Sequence, residues 1–204
     1  MKAIIFLNGN PPSDCQIKTV VKHDCYVICA DGAFNYLSGI IVPNLILGDF
    51  DSVKSKNFPK CSEVEEYCPE KDYTDGELCL LSALERGYTE IEIYGAFGGR
   101  PDHEYANYGL LKVAKNGGAK AKLVDGEWEI ELIDGTVEKQ TSPNKYVSMV
   151  PFNSSAHIIR TEGLKYSANQ VRLKREQSLG VSNQAQGEKI TVSVEGEMLL
   201  FIQK

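Results

Sequence analysis

Several residue types are scarce in this chain, and each scarcity excludes something. Of 204 residues, six are cysteine, three are histidine and one is tryptophan. No Cys-x-x-Cys pair occurs: Cys25 and Cys29 stand four apart, and Cys61 and Cys68 flank a Glu-rich segment. The close ligand pairs of structural zinc sites are therefore missing. Disulfide frameworks belong to small secreted chains, whereas this chain is large and shows no secretion signal, so reduced thiols and a cytoplasmic location are expected. Basic charge is also short. Lys and Arg number 22 against 28 Asp and Glu, a formal net charge of −6, with a pI near 5.2. That balance argues against a nucleic-acid or membrane-surface partner, either of which favours a basic face. No apolar run approaches the roughly 20 residues of a membrane span. The opening run Lys2-Ala3-Ile4-Ile5-Phe6-Leu7 stops at the turn residues Asn8-Gly9-Asn10, too early for a signal peptide, and reads as a first strand. A small-molecule ligand is the default expectation.

What is present falls into two parts. Over residues 1–126, short apolar runs alternate with helical patterns, which predicts a mostly parallel, Rossmann-like α/β domain with crossover helices. Strands are expected at Ala3 to Leu7, Tyr26 to Ala30, Leu45 to Leu47, Glu63 to Tyr67, Ile91 to Tyr94 and Ala121 to Val124. One helix is expected from Thr74, where Thr74 and Glu77 form a capping box ahead of Leu78, Leu81 and Leu84, with Gly87 as the stop. A second starts at Pro101-Asp102 and ends at Asn116-Gly117-Gly118, with Ala106, Leu110, Val113 and Ala114 as its apolar stripe. Residues 127–204 show only short β-type runs. These are Trp128 to Ile133, Tyr146 to Val150, Ala156 to Arg160, Val171 to Lys174, and a closing hairpin of Ile190 to Val194 and Met198 to Ile202. Asp134-Gly135 and Glu195-Gly196 are expected as turns, giving a small all-β domain of sandwich or jelly-roll type.

Four segments of the first domain carry phosphate-type chemistry: Asp31-Gly32, Gly48-Asp49-Phe50-Asp51-Ser52, Lys71-Asp72-Tyr73-Thr74-Asp75, and Gly98-Gly99-Arg100-Pro101-Asp102-His103. If the apolar runs are parallel strands, their carboxyl ends share one sheet edge, where ligands of open α/β sheets bind. Asp49 and Asp51 alternate, so in an extended segment both face one way and can share a cation, although a lone Asp-x-Asp is equally a solvated loop. Asp72 to Asp75 reads as the N-cap region of a helix, which is compatible with an anion site. Arg100, between a glycine pair and a helix start, suits bidentate phosphate contact rather than a mere flexible turn. His103 alone reads as a helix-cap histidine; Asn107, four residues on, shares its face.

Taken in order, these four segments with Asn107 resemble the thiamine pyrophosphokinase family. Gly163-Leu164-Lys165-Tyr166 and Val181-Ser182-Asn183-Gln184 look like that family's thiamine-binding segments, so the resemblance spans nearly the whole chain. It implies transfer of a pyrophosphoryl group from ATP to thiamine, giving thiamine diphosphate and AMP, with Mg2+ as cofactor. It also implies a homodimer with the thiamine site at the subunit interface. Asp49, Asp51 and Asp75 are then assigned to magnesium, with Asp31 and Asp72 nearby. Gly32, Ser52, Lys71, Thr74, Gly98, Gly99, Arg100, Asp102, His103 and Asn107 would complete the nucleotide site, with Arg100 and the glycine amides on phosphate. Lys165, Tyr166, Ser182 and Asn183 are assigned to thiamine. Three positions depart from the family pattern: Phe34 adds bulk expected beside the nucleotide cleft, Gln184 replaces a usual Glu, and the only Trp is Trp128. Two other functions compete: a haloacid-dehalogenase-type phosphatase with Asp49 as nucleophile, and a non-catalytic nucleotide sensor.

Overall fold

The computed structural model describes residues 1–68, 70 and 72–204. Lys71, assigned above to the nucleotide, lies outside the described residues. The chain forms two compact units, Met1–Gly126 and Glu127–Lys204. No helix among the described residues is long and apolar enough to cross a membrane.

The first unit is built on six parallel strands: β1 (Lys2–Phe6), β2 (Cys25–Ala30), β3 (Leu45–Gly48), β4 (Glu63–Glu66), β5 (Glu90–Tyr94) and β6 (Lys120–Asp125). Their order in space is β6-β5-β1-β2-β3-β4. The order reverses between β1 and β5, and at such a switch point the loops leave in opposite directions and open a crevice at the carboxyl edge. β2 and β3 are apolar throughout because both faces are covered. Ile4 and Phe6 pack in one cluster with Ile17 and Leu37, which come from α1 (Asp14–Val20) and α2 (Phe34–Leu37). The longer helices α3 (Asp75–Glu85) and α4 (Pro101–Asn116) pack on each other, α3 against β1, β2 and β3 and α4 against β6. Both begin as expected, α3 with Thr74 accepting from the Glu77 N–H at 3.2 Å and α4 with proline in its first turn. The sequence reading passed over α1, although its Ser13-x-x-Gln16 start is a capping signal: the Gln16 N–H donates to Ser13 Oγ at 3.2 Å.

One ion cluster ties three of these strands together. Glu92 on β5 is bonded at 3.0 Å by both Lys2 and Lys122, and its side chain is 14% exposed. Burial raises its pKa, but the two lysines outweigh that and leave it below the ordinary Glu range. A carboxyl with a depressed folded pKa adds stability above its unfolded value and loses it as pH falls through the folded one. Glu92→Gln is therefore expected to cost about 1–2 kcal/mol at neutral pH, with the difference fading in acid, as denaturant midpoints across pH would register.

The second unit is all β: β7 (Trp128–Gln140), β8 (Tyr146–Pro151), β9 (Ser155–Glu162), β10 (Val171–Lys174), β11 (Asn183–Gln184) and β12 (Lys189–Gln203). β12 runs antiparallel to β7 along its whole length, while its other edge is shared, the first half pairing β9 and the second β8. β10 extends from β9 and β11 from β8. The expected turns at Asp134-Gly135 and Glu195-Gly196 are corrected by this pairing. Gly135 lies opposite Val194 and Ile133 opposite Met198, so Glu195, Gly196 and Glu197 bulge against the single Asp134. Glycine at positive φ here bends two long strands together instead of reversing them. Ile190, Val192 and Val194 before the bulge and Met198, Leu200 and Ile202 after it enter one core.

Candidate functional site

The carboxyl edge of the parallel sheet opens into a cavity of about 630 Å³ at the β1/β5 switch point. Its walls come from the ends of four strands, Leu7-Asn8-Gly9, Ala30-Asp31, Asp49 with Asp51-Ser52, and Gly95-Ala96, and from the starts of α3 and α4. Of the nucleotide-site residues expected from sequence, Asp31, Asp49, Asp51, Ser52, Thr74, Asp75, Gly99, Arg100, His103 and Asn107 line it. Gly32, Asp72, Gly98 and Asp102 are not part of the wall. Sequence reading missed Asn8, Gly9, Tyr73, Gly76 and Glu104, which do line it. A loop leaving a strand beside the switch point was the available signal for Asn8 and Gly9.

Three carboxylates converge on this wall. One oxygen each from Asp31, Asp49 and Asp51 lies within 4.8 Å of the others. Asp75, which the sequence reading placed with Asp49 and Asp51, lines the same cavity outside that triad, and buried Asp31 stands in its place. The local backbone explains the grouping. Gly48 has φ +156° and approaches so closely that a Cβ there would lie 2.7 Å from Asp31 Cβ, so β3 ends against the Asp31 turn. Asp49-Phe50-Asp51 is not extended, as expected from sequence, but turns at Phe50, which has φ +58°. The Phe50 ring is buried and packs on Phe58 with centroids 4.9 Å apart. Burying that ring holds the turn in a conformation a bulky residue otherwise avoids. Phe34, expected beside the cleft, instead packs on Phe58 at 5.1 Å inside the core.

Asp31 is the unusual member. It is 5% exposed, it sits at φ +25°, and its Oδ1 is the buried side-chain oxygen without a hydrogen-bond partner among the described residues. Burial pushes its carboxyl above the ordinary Asp range, and the charges of Asp75 and Asp49 add to the push, against hydrogen bonds from Ser52 and Gly32. A buried, unpaired oxygen among other carboxylates is costly unless a cation is held there, and hard divalent cations take oxygen sets of this kind. The residues present thus fit a magnesium-type ion.

Gly99 and Arg100 of the glycine-arginine loop line the same cavity, and the loop's anion-seeking groups are engaged within the chain. The Gly98 and Gly99 N–H groups donate to Glu104 Oε1 at 2.7 and 3.0 Å. Arg100 donates through Nε and Nη2 to the two oxygens of Asp102 at 3.1 and 2.6 Å, and this pairing holds the Asp102 carboxyl at about 2. Asn107 Nδ2 donates to the Ala96 carbonyl at 2.7 Å, which fixes the loop after β5 to α4.

In the second unit, Asn183 is buried and its amide is in use. Its Oδ1 accepts from the N–H groups of Tyr166 and Gln184 at 3.0 and 2.9 Å, and its Nδ2 donates to the Tyr166 carbonyl at 2.7 Å. The direct ligand role expected of Asn183 thus competes with a clamp on the Tyr166 backbone. Ser182 is exposed at φ +63°, with its N–H donating to Ser148 Oγ at 3.0 Å. Lys165 Nζ donates to Gln184 Oε1 at 3.1 Å and lies 5.5 Å from the centre of the exposed Tyr166 ring.

Comparison with known proteins agrees with this geometry. Residues 17–123 match the model of the thiamin pyrophosphokinase catalytic domain, and residues 135–199 that of the thiamin pyrophosphokinase vitamin B1 binding domain. The chain is 29% identical to thiamine pyrophosphokinase of Bacillus subtilis, covering 99% of this chain and 98% of that protein. It is 24% identical to thiamine pyrophosphokinase 2 of Oryza sativa, over 98% of this chain and 85% of that protein. The crystal structure of the Bacillus subtilis enzyme superposes with a TM-score of 0.89 at 25% identity, over 100% of this chain and 99% of that one. Yeast thiamin pyrophosphokinase shares the fold with a TM-score of 0.80 at 18% identity, over 99% of this chain and 85% of that one. Neither the phosphatase nor the sensor reading finds support among these relatives. With its catalytic-domain match alone covering more than half of its length, the chain belongs to the thiamin pyrophosphokinase family.

Proposed function

We propose that this protein is a thiamine diphosphokinase: it transfers the pyrophosphoryl group of ATP to the hydroxyl of thiamine and releases AMP. The observation that carries the reading is the cavity itself, lined both by three converging carboxylates and by a glycine-arginine loop. A polyphosphate held with a divalent cation matches that division of charge. Asp31, Asp49 and Asp51 would hold Mg2+, with Asp75 close by. When bound, the cation would neutralise phosphate charge, which is the chemistry phosphoryl transfer most needs. We read the first unit as Rossmann-like and the second as a β-sandwich whose Lys165, Tyr166 and Ser182 meet thiamine, in a cytoplasmic homodimer with the thiamine site at the subunit interface.

The residues of the chain supply position. The thiamine hydroxyl oxygen attacks the β-phosphorus and gives up its proton to solvent, and the bond from that phosphorus to the α–β bridging oxygen breaks, leaving AMP with the bridging oxygen and its electron pair. Attack and departure must lie in line, so orientation contributes much of the rate. Gly99, Arg100 and the start of α4 hold phosphate oxygens once Asp102 and Glu104 yield them, while His103 and Asn107 line the same wall. Incubation with ATP, thiamine and Mg2+ tests the proposal. AMP and thiamine diphosphate in equal amounts support it; free phosphate alone or no turnover would refute it. Arg100→Ala is expected to lower kcat/KM for ATP about five- to tenfold with a smaller change in KM for thiamine, and equal effects on both substrates would remove Arg100 from the phosphate.

A further inference from the structure

We propose that Glu104 is a built-in competitor for the phosphate seat, and so a determinant of how tightly this enzyme holds nucleotide; the inference rests on the nucleotide reading above. Two successive backbone amides, those of Gly98 and Gly99, converge on the single oxygen Oε1 of Glu104 at 2.7 and 3.0 Å. Amides aimed together at one oxygen form an anion seat, and a phosphate oxygen satisfies them in the same way as a carboxylate. The seat is rigid. Gly98 has φ +84° and packs so tightly on Asn10 that a Cβ would fall 1.9 Å from the Asn10 Cγ. Glu104 also lines the catalytic cavity beside Gly99, Arg100 and His103. The neighbouring Arg100 fork is closed on Asp102, so both phosphate-seeking groups of the loop are held by carboxylates from the first turn of α4.

Two consequences follow from this arrangement. The loop keeps its binding shape without a ligand, because its amides already have a partner, and little ordering remains to be done on binding. Nucleotide must also exchange one anion for another, leaving a displaced carboxylate near the incoming phosphates. Phosphate binding is therefore weaker than the bare seat would give, and the seat refills when the phosphates depart. A purely structural account assigns Glu104 only the task of tying the loop to α4. Glutamine separates the two, since its Oε1 still accepts from both amides but it carries no charge.

The test compares full-length wild type with Glu104→Gln by calorimetry, with Mg·ATP in the absence of thiamine and with adenosine as the phosphate-free control. The variant is expected to bind ATP about three- to tenfold more tightly and adenosine unchanged. The gain should shrink as salt rises from about 0.05 to 0.5 M, because it is a charge effect. In turnover, KM for ATP should fall while KM for thiamine stays put. Equal or weaker ATP binding by Glu104→Gln, or an equal shift for adenosine, overturns the proposal and leaves Glu104 as a loop tie. If wild type forms AMP from ATP and thiamine while the variant shows no gain, this inference alone fails. If wild type does not bind ATP, the nucleotide reading falls and takes this inference with it.

Discussion

Asp31→Asn is expected to lower turnover by at least about 100-fold and yet leave the metal-free protein more heat-stable than its parent, by roughly 2–4 °C. Both effects come from one carboxyl. Asp31 Oδ1 is buried without a hydrogen-bond partner among the described residues, and one oxygen of this carboxyl lies within 4.8 Å of carboxylate oxygens of Asp49 and Asp51. Without a cation its charge is desolvated and repelled; with one it becomes a ligand. The pH dependence follows from its raised pKa. A carboxyl whose folded pKa exceeds its unfolded value favours folding less once it ionises, so the penalty is absent in acid and grows as pH rises from the ordinary Asp range through the raised one. The stability gain of Asn should therefore vanish at low pH. Added Mg2+ should raise the melting temperature of wild type but not of the variant. Asp49→Asn and Asp51→Asn should lose comparable turnover without that gain, because these side chains are more exposed. Scanning calorimetry in EDTA and in Mg2+, beside AMP release, checks all of this. A destabilised Asp31→Asn, or one with near-parental kcat at saturating Mg2+, would remove Asp31 from the metal site.

The parts of the molecule legible in sequence were those whose signal is local. Thr74 with Glu77, and Pro101 at a helix start, announce α3 and α4 through backbone groups only a few residues away, and both helices begin there. Apolar runs between polar loops announce β1, β2 and β3, which are buried on both faces, and Ile93-Tyr94 and Leu123-Val124 mark the buried parts of β5 and β6. What escaped depends on contacts distant in the chain. That Asp31 joins Asp49 and Asp51 more closely than Asp75 does follows from the approach of Gly48 to Asp31, which no spacing reveals. Phe34 and Phe50 enter the core through Phe58, a partner outside every motif. Glu104 stands in the first turn of α4, where an acid needs no special role, and only the fold of the loop before it turns that carboxylate onto Gly98 and Gly99. Gly135 and Gly196 carry true turn signals, but the long β7–β12 ladder converts a reversal into a bulge.

The second large effect is expected at Asn183, where geometry changes the meaning of the sequence-level assignment. An asparagine in a polar segment suggests an amide that reads both donor and acceptor groups of the aminopyrimidine. Here that amide already holds the N–H and the carbonyl of Tyr166 and the N–H of Gln184. Asn183→Ala would leave those backbone groups without their partner in a half-buried position, at a cost of about 1 kcal/mol or more. It would also release the segment that presents Lys165 and the exposed Tyr166 ring. The expected result is a lower melting temperature together with a thiamine KM raised about tenfold or more, and a KM for ATP little changed. Ser182→Ala supplies the contrast. Ser182 is exposed and held by its backbone N–H, so loss of its hydroxyl should raise the thiamine KM roughly fivefold with no loss of stability. A direct ligand role for Asn183 predicts a raised KM at an unchanged melting temperature. Wild-type thiamine KM in both variants would move the vitamin away from this strand altogether.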